Sequence, residues 1–226
     1  MATKKGGRYV TTHLPEAQFE IGSRGKVLKN SLGIKRKRQM DEVEAREQLR
    51  ALRELIAVYD DAHVFTAADV CNIHHAWLRP IYPWAGEYRQ VNISKGDFPF
   101  AAAREIPKLM TELESGPLRQ YTPCRFDSDD AVAKALAIVH TELMLIHPFR
   151  EGNGRAGRML AILMGLQANL PPLDFTDIKA RKRQEYFAAV RAGLDRSYEP
   201  MERIFIDVVR KTRRAALPAG LGRDMT

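Results

Sequence analysis

Apolar residues recur at helical spacing along most of the chain. From Asp41 onward, Leu49, Leu52, Leu55 and Ile56 make one apolar face, and Asp41 followed by Glu44 resembles a capping box. Thr66 followed by Asp69 repeats that start signal. Val70, Ile73, Trp77 and Leu78 then form a stripe that Pro80 ends. A third helical pattern, through Ile106, Leu109, Met110 and Leu113, covers 104–114. A fourth runs from about Asp129 to Ile146, with Ser128 as its N-cap and Val132, Ala135, Leu136, Val139 and Leu143 on its inner face. Arg155 to Ala168 is apolar on nearly all sides, as a helix buried at a domain's centre is. Two amphipathic stretches follow, around 180–194 and 200–213. Residues 87–100 break the period. Tyr88, Val91 and Ile93 favour strand and Lys95-Gly96-Asp97 reads as a turn, which predicts a β-hairpin resting on helices. The pattern therefore predicts an all-α domain over 41–213 with one hairpin, a basic extended arm over 1–40 and a tail over 214–226.

Composition narrows this picture only a little. No apolar run approaches the ~20 residues of a membrane helix. Cys71 and Cys124 are too few for a disulfide framework, which points to a reducing cytoplasm. The net charge of +8 has a definite location. Residues 1–40 hold ten Lys and Arg against Glu16 and Glu20, whereas the remainder holds 26 of each sign. The excess is a solvated arm or an accessory surface for an acidic partner. A basic nucleic-acid-binding module is the reading from outside enzymology, and it leaves the chemistry of the next segment unexplained.

Residues 147–158 read His-Pro-Phe-Arg-Glu-Gly-Asn-Gly-Arg-Ala-Gly-Arg and lie between two helices, the second apolar all round. A buried helix N-terminus presents unpaired N–H groups and partial positive charge. Gly152, Asn153 and Gly154 let the backbone wrap an anion there. Arg155 and Arg158, three apart, share a helix face and reach the same anion. Glu151 offers a hard carboxylate suited to Mg²⁺, and His147 is the one side chain here that titrates near neutrality. The set suits phosphoryl or nucleotidyl transfer. Gly152-x-Gly154-x-x-Gly157 is formally a dinucleotide fingerprint, but a helix and not a strand precedes it, and no Gly-Lys-Ser/Thr ending makes a Walker loop.

His-x-Phe-x-Glu-Gly-Asn-Gly-Arg-x-x-Arg resembles the full signature of the Fic family. The resemblance extends to Trp84-Ala85-Gly86 and Arg89-x-Val91-Asn92-Ile93-Ser94-Lys95, similar to the family's flap. It reaches Lys29-Asn30-x-Leu32-Gly33-Ile34, similar to the segment before the core in toxin-like members. It implies a Fic fold, a helical bundle around a central buried helix with a hairpin flap. It also implies a protein adenylyltransferase that moves AMP from Mg-ATP to a Ser, Thr or Tyr hydroxyl of a target protein.

The same resemblance assigns residues. His147 would be the general base and Phe149 the anchor of the loop. Glu151 would hold Mg²⁺, and the Gly152–Gly154 backbone and Asn153 would contact phosphate. Arg155 and Arg158 would hold the outer phosphates, and Tyr186 would contact the nucleobase. Ser94, Lys95, Gly96, Asp97 and Phe98 of the flap would register the target segment. The intact Gly-Asn-Gly favours AMP transfer over the phosphorylation done by Doc-type relatives. A UMP, GMP or phosphocholine donor is the alternative. Toxin-like members imply essential cytosolic targets such as type II topoisomerases. The inhibitory Ser/Thr-x-x-x-Glu-Gly/Asn motif of the family has only Thr12 to Glu16 to match it here, with Ala17 following and Pro15 inside. This departure favours control by a separate small antitoxin.

Overall fold

The computed structural model describes residues 14–179 and 182–216. Helices α1 (Lys37–Val58) and α2 (Ala67–Leu78) come first, then a hairpin of β1 (Ser94–Lys95) and β2 (Phe98–Pro99). Next are α3 (Ile106–Leu113) and the short α4 (Arg119–Tyr121), then α5 (Asp129–Ile146) and α6 (Asn153–Gln167). A short α7 (Thr176–Lys179), α8 (Arg183–Ala192) and α9 (Glu199–Ala216) close the order. Two starts fall where their caps place them. The Ser128 hydroxyl accepts from the Ala131 N–H, with Asp129 and Asp130 in the first turn, and Thr66 and Asp69 form a reciprocal capping box.

The start of α1 differs from the sequence reading. It begins at Lys37, so Asp41 lies inside the helix and caps nothing. The buried positions are Met40, Glu44, Ala51 and Leu55, while Leu49 and Ile56 are 53% and 41% exposed. The helix is turned so that Glu44, a polar residue, faces inward, because α2 and α6 on that side supply its partners. The hairpin is also shorter than the alternation suggested. Ser94 pairs Pro99 and Lys95 pairs Phe98 around Gly96, and Tyr88, Val91 and Ile93 lie in no strand.

The centre is α5, packed against α6, α9, α3 and α8. Its inward residues and ten of the fifteen residues of α6 are buried together with Phe149, Phe205 and Trp77. The described part of the basic arm lies on this body. Val27, Leu28 and Ile34 are buried, and the Asn30 amide closes a turn by donating to the Leu28 and Ile34 carbonyls. Residues 1–13, with Lys4, Lys5 and Arg8, lie outside the described residues, as do 217–226. Among the described residues no helix is long and apolar enough to cross a membrane.

Candidate active site

His147 caps the C-terminus of α5 in the left-handed region, at φ 52° and ψ 60°, with its N–H donating to the Leu143 carbonyl. That conformation costs a non-glycine residue about 1–2 kcal/mol and turns the imidazole out of the helix line. Nδ1 lies 3.1 Å from the Met144 carbonyl. A carbonyl only accepts, so Nδ1 carries the proton and Nε2 keeps its lone pair. The ring stacks on Phe100 at 3.7 Å. Burial, with the Arg89 and Lys95 cations nearby, pushes the imidazole pKa down to about 4, although the bond to Met144 opposes the shift. The ring is therefore neutral at pH 7.

The loop after His147 is fixed from below. Phe149 is fully buried and stacks on His74 at 3.9 Å. The Asn153 amide, expected on phosphate, spans the loop: it accepts from the Phe149 N–H at 2.8 Å and donates to the Phe149 carbonyl at 2.7 Å. His74 Nδ1 accepts from the Gly86 N–H at 2.8 Å, so Nε2 holds the proton and donates to the Glu151 carbonyl at 3.0 Å. Nothing in the sequence around His74 marks this role. Its contact with Glu151 spans 77 positions and has no local signature.

Gly152, at φ +82°, leads into α6. The first N–H groups of a helix have no partner within it. Asn153 and Gly154, the first two residues of α6, line a cavity of about 680 Å³ that His147, Glu151, Arg155 and Arg158 also line. That volume suits a small-molecule ligand. Arg155 is held by carboxylates, with Nη1 2.6 Å from Glu44 and Nη2 3.3 Å from Glu151, and its guanidinium lies over the Trp77 ring at 4.5 Å. Arg158 meets no carboxylate among the described residues. Burial holds its pKa below the ordinary value, yet it stays a cation at neutral pH. It is thus a cation lining the cavity that no described carboxylate holds.

The flap closes the opposite wall. Lys95 Nζ sits 3.7 Å above the Phe187 ring, and Asp97 pairs with Arg191 at 2.6 Å, which ties the hairpin tip to α8. Tyr186 lines the cavity, but its hydroxyl is turned into the core, 2.7 Å from His140 Nε2. Glu16 lies elsewhere. Its carboxylate accepts from the Gln90 N–H at 2.7 Å, its carbonyl accepts from Arg150, and Thr12 is outside the described residues.

A model of the Fic/DOC family matches residues 64–164. The probable protein adenylyltransferase Fic of Escherichia coli strain K12 is 31% identical over 150 residues, covering 62% of this chain and 70% of that protein. The chain belongs to the Fic/DOC family. It is also similar to the probable protein adenylyltransferase y4lH of Sinorhizobium fredii, 28% identical over 75% of this chain and 90% of that one. Among solved structures it resembles the BepC effector of Bartonella tribocorum, which carries bound AMPPNP. There the identity is 25% and the TM-score 0.68, over 87% of this chain and 97% of that one. The expected Fic fold is the one observed, a mostly helical body with one small hairpin. By kinship with named adenylyltransferases, this Fic protein is a nucleotidyltransferase.

Among the described residues no group of three His, Cys, Asp or Glu could hold a metal ion. Glu151 offers one carboxylate, 47% exposed in the Fic motif loop. That donor fits a Mg²⁺ that arrives on phosphates and keeps its waters, as Mg²⁺ commonly does.

The buried histidines predict a fold that loses stability in acid. Burial lowers the pKa of His74 to about 4 and of His140 to about 3. An unfolded histidine takes its proton near pH ~6.5. Below that pH the unfolded chain binds more protons than the fold, so stability falls as pH drops toward 4. Each histidine contributes up to about 1.4 kcal/mol per pH unit in that window. Urea midpoints between pH 7 and 4.5 measure this, and a midpoint constant over that range contradicts it.

Proposed function

We propose that the protein is an AMP-transferring enzyme that uses Mg-ATP and modifies a Ser, Thr or Tyr hydroxyl on a target protein. The observation that carries this reading is the juxtaposition in one cavity of a neutral His147, the open N-terminus of α6 and the uncommitted Arg158. His147 Nε2 takes the proton as the target oxygen forms its bond to the α-phosphorus, and the bond to the pyrophosphate oxygen breaks. The N–H groups of Asn153 and Gly154 meet the charge that develops on the α-phosphate. Arg158 holds the outer phosphates. Glu151 would hold Mg²⁺, which supplies charge neutralisation on the phosphates when bound. The exposed edge of Ser94–Lys95 offers strand pairing to an extended target segment. Glu16 is engaged with Gln90 and is not in contact with Arg158. This supports control by a separate partner and not by this arm.

The test is incubation with Mg-ATP and cell lysate, followed by mass spectrometry of the modified proteins. An adenylyl addition supports the reading, whereas a uridylyl, guanylyl or phosphocholine addition from the corresponding donors replaces it. Arg158→Met removes a charge-assisted contact worth about 1.5–3 kcal/mol, so ATP affinity should fall about tenfold or more. Calorimetry reads this directly, and unchanged affinity would remove Arg158 from the phosphate site.

A further inference from the structure

Glu44 lies on α1, ahead of the stretch that matches the family model, and its side chain is only 2% exposed. A buried carboxylate is costly unless fully partnered. Each of its polar atoms has a partner. Oε2 accepts from Arg155 Nη1 at 2.6 Å, Oε1 accepts from the Tyr82 hydroxyl at 2.9 Å, and the Glu44 carbonyl accepts from Trp77 Nε1 at 2.8 Å. Trp77 in turn lies beneath the Arg155 guanidinium. The arginine is thus held from one side by a carboxylate and from below by an indole whose position the same residue sets. Its other carboxylate contact, Glu151 at 3.3 Å, is longer and more exposed.

We propose that Glu44 is a positioning residue of the nucleotide site, holding Arg155 from α1 so that its guanidinium is preset at the cavity edge. The inference rests on the reading of that cavity as an ATP site. An arginine left loose would have to be ordered by the incoming phosphate, and that ordering would be subtracted from affinity. Glu44 removes that cost before binding. The opposite role, a brake in which Glu44 competes with phosphate for Arg155, makes the opposite prediction.

The experiment is calorimetry of the full chain with Mg²⁺ and the α,β-methylene analogue of ATP, which cannot pass on its AMP. Glu44→Gln keeps the shape and the Tyr82 contact but loses the charge. The expected result is about tenfold weaker binding, with the melting curve still cooperative. In an Arg155→Ala background the same substitution should change affinity less than about twofold, because the two residues act as one unit. A merely structural role would weaken binding equally in both backgrounds and would overturn the proposal. So would unchanged or tighter binding by Glu44→Gln, the last being the signature of a brake. If the unsubstituted chain fails to bind the analogue, the ATP reading itself falls. If that chain binds and Glu44→Gln binds equally, this inference falls alone.

Discussion

His147→Ala is expected to lower AMP transfer about 10³-fold while leaving nucleotide affinity within about threefold of the unsubstituted chain. The imidazole holds its Nδ1 proton on Met144 and offers Nε2 to the cavity, so its removal deletes a base and no phosphate contact. Single-turnover transfer of labelled AMP, with calorimetry of the α,β-methylene analogue alongside, separates the two effects. Full activity in the variant would sink the base assignment. The pH profile gives a second reading. With its pKa lowered to about 4, His147 is already deprotonated at pH 6. The kcat/KM of the free enzyme should therefore hold as pH falls from 8 to 5, where an unperturbed histidine would halve it near pH ~6.5.

The parts of this protein that sequence alone exposes are those whose causes are local. Ser128 and Thr66 start their helices because each cap reaches only three residues ahead. The 147–158 segment is legible because one contiguous stretch carries the proposed base His147, the Glu151 carboxylate, the Gly152–Gly154 backbone and both arginines. What escapes is decided by distant partners. The inner side of α1 follows from Glu44 meeting Arg155, 111 positions away, and no periodicity on α1 contains that fact. The hairpin is short for a similar reason. Arg89 is 1% exposed, and its guanidinium donates to the carbonyls of Val91, Ala101, Ile146 and His147 at 2.6–3.3 Å. Its own N–H donates to the Pro148 carbonyl and the Gln90 N–H to the Glu16 carboxylate, so neither backbone group bonds to a strand partner. Burial lowers the Arg89 pKa to about 10, which leaves it charged at the carbonyl end of α5, where a cation is favoured. Arg89 thereby couples the flap to His147, the proposed base. In the sequence it opens the flap-like stretch among strand-favouring neighbours, and nothing there announces its four carbonyl partners.

Gly152→Ala is expected to cost about 3 kcal/mol of stability and about 10² in transfer rate, whereas Gly154→Ala, two residues on, should change stability by less than about 1 kcal/mol. The two glycines look equivalent in the Gly-Asn-Gly sequence, but their surroundings differ. Gly152 sits at φ +82°, where a side chain costs about 1–2 kcal/mol. A Cβ built there lies 2.8 Å from Trp77 Cζ3 and 3.3 Å from Leu78 Cδ1, a contact the fully buried indole cannot relieve without moving. Overpacking of that kind adds about 1–3 kcal/mol. Displacing Trp77 then disturbs the Glu44 carbonyl bond and the surface beneath Arg155, so the strain is delivered into the phosphate site. A Cβ on Gly154 meets only Arg158 Nη1, at an ordinary 3.6 Å, on helical backbone that alanine favours. Urea midpoints and single-turnover rates of the two variants, measured side by side, decide the matter. Equal losses of stability would mean that the loop yields at Gly152 and that Trp77 does not enforce its geometry.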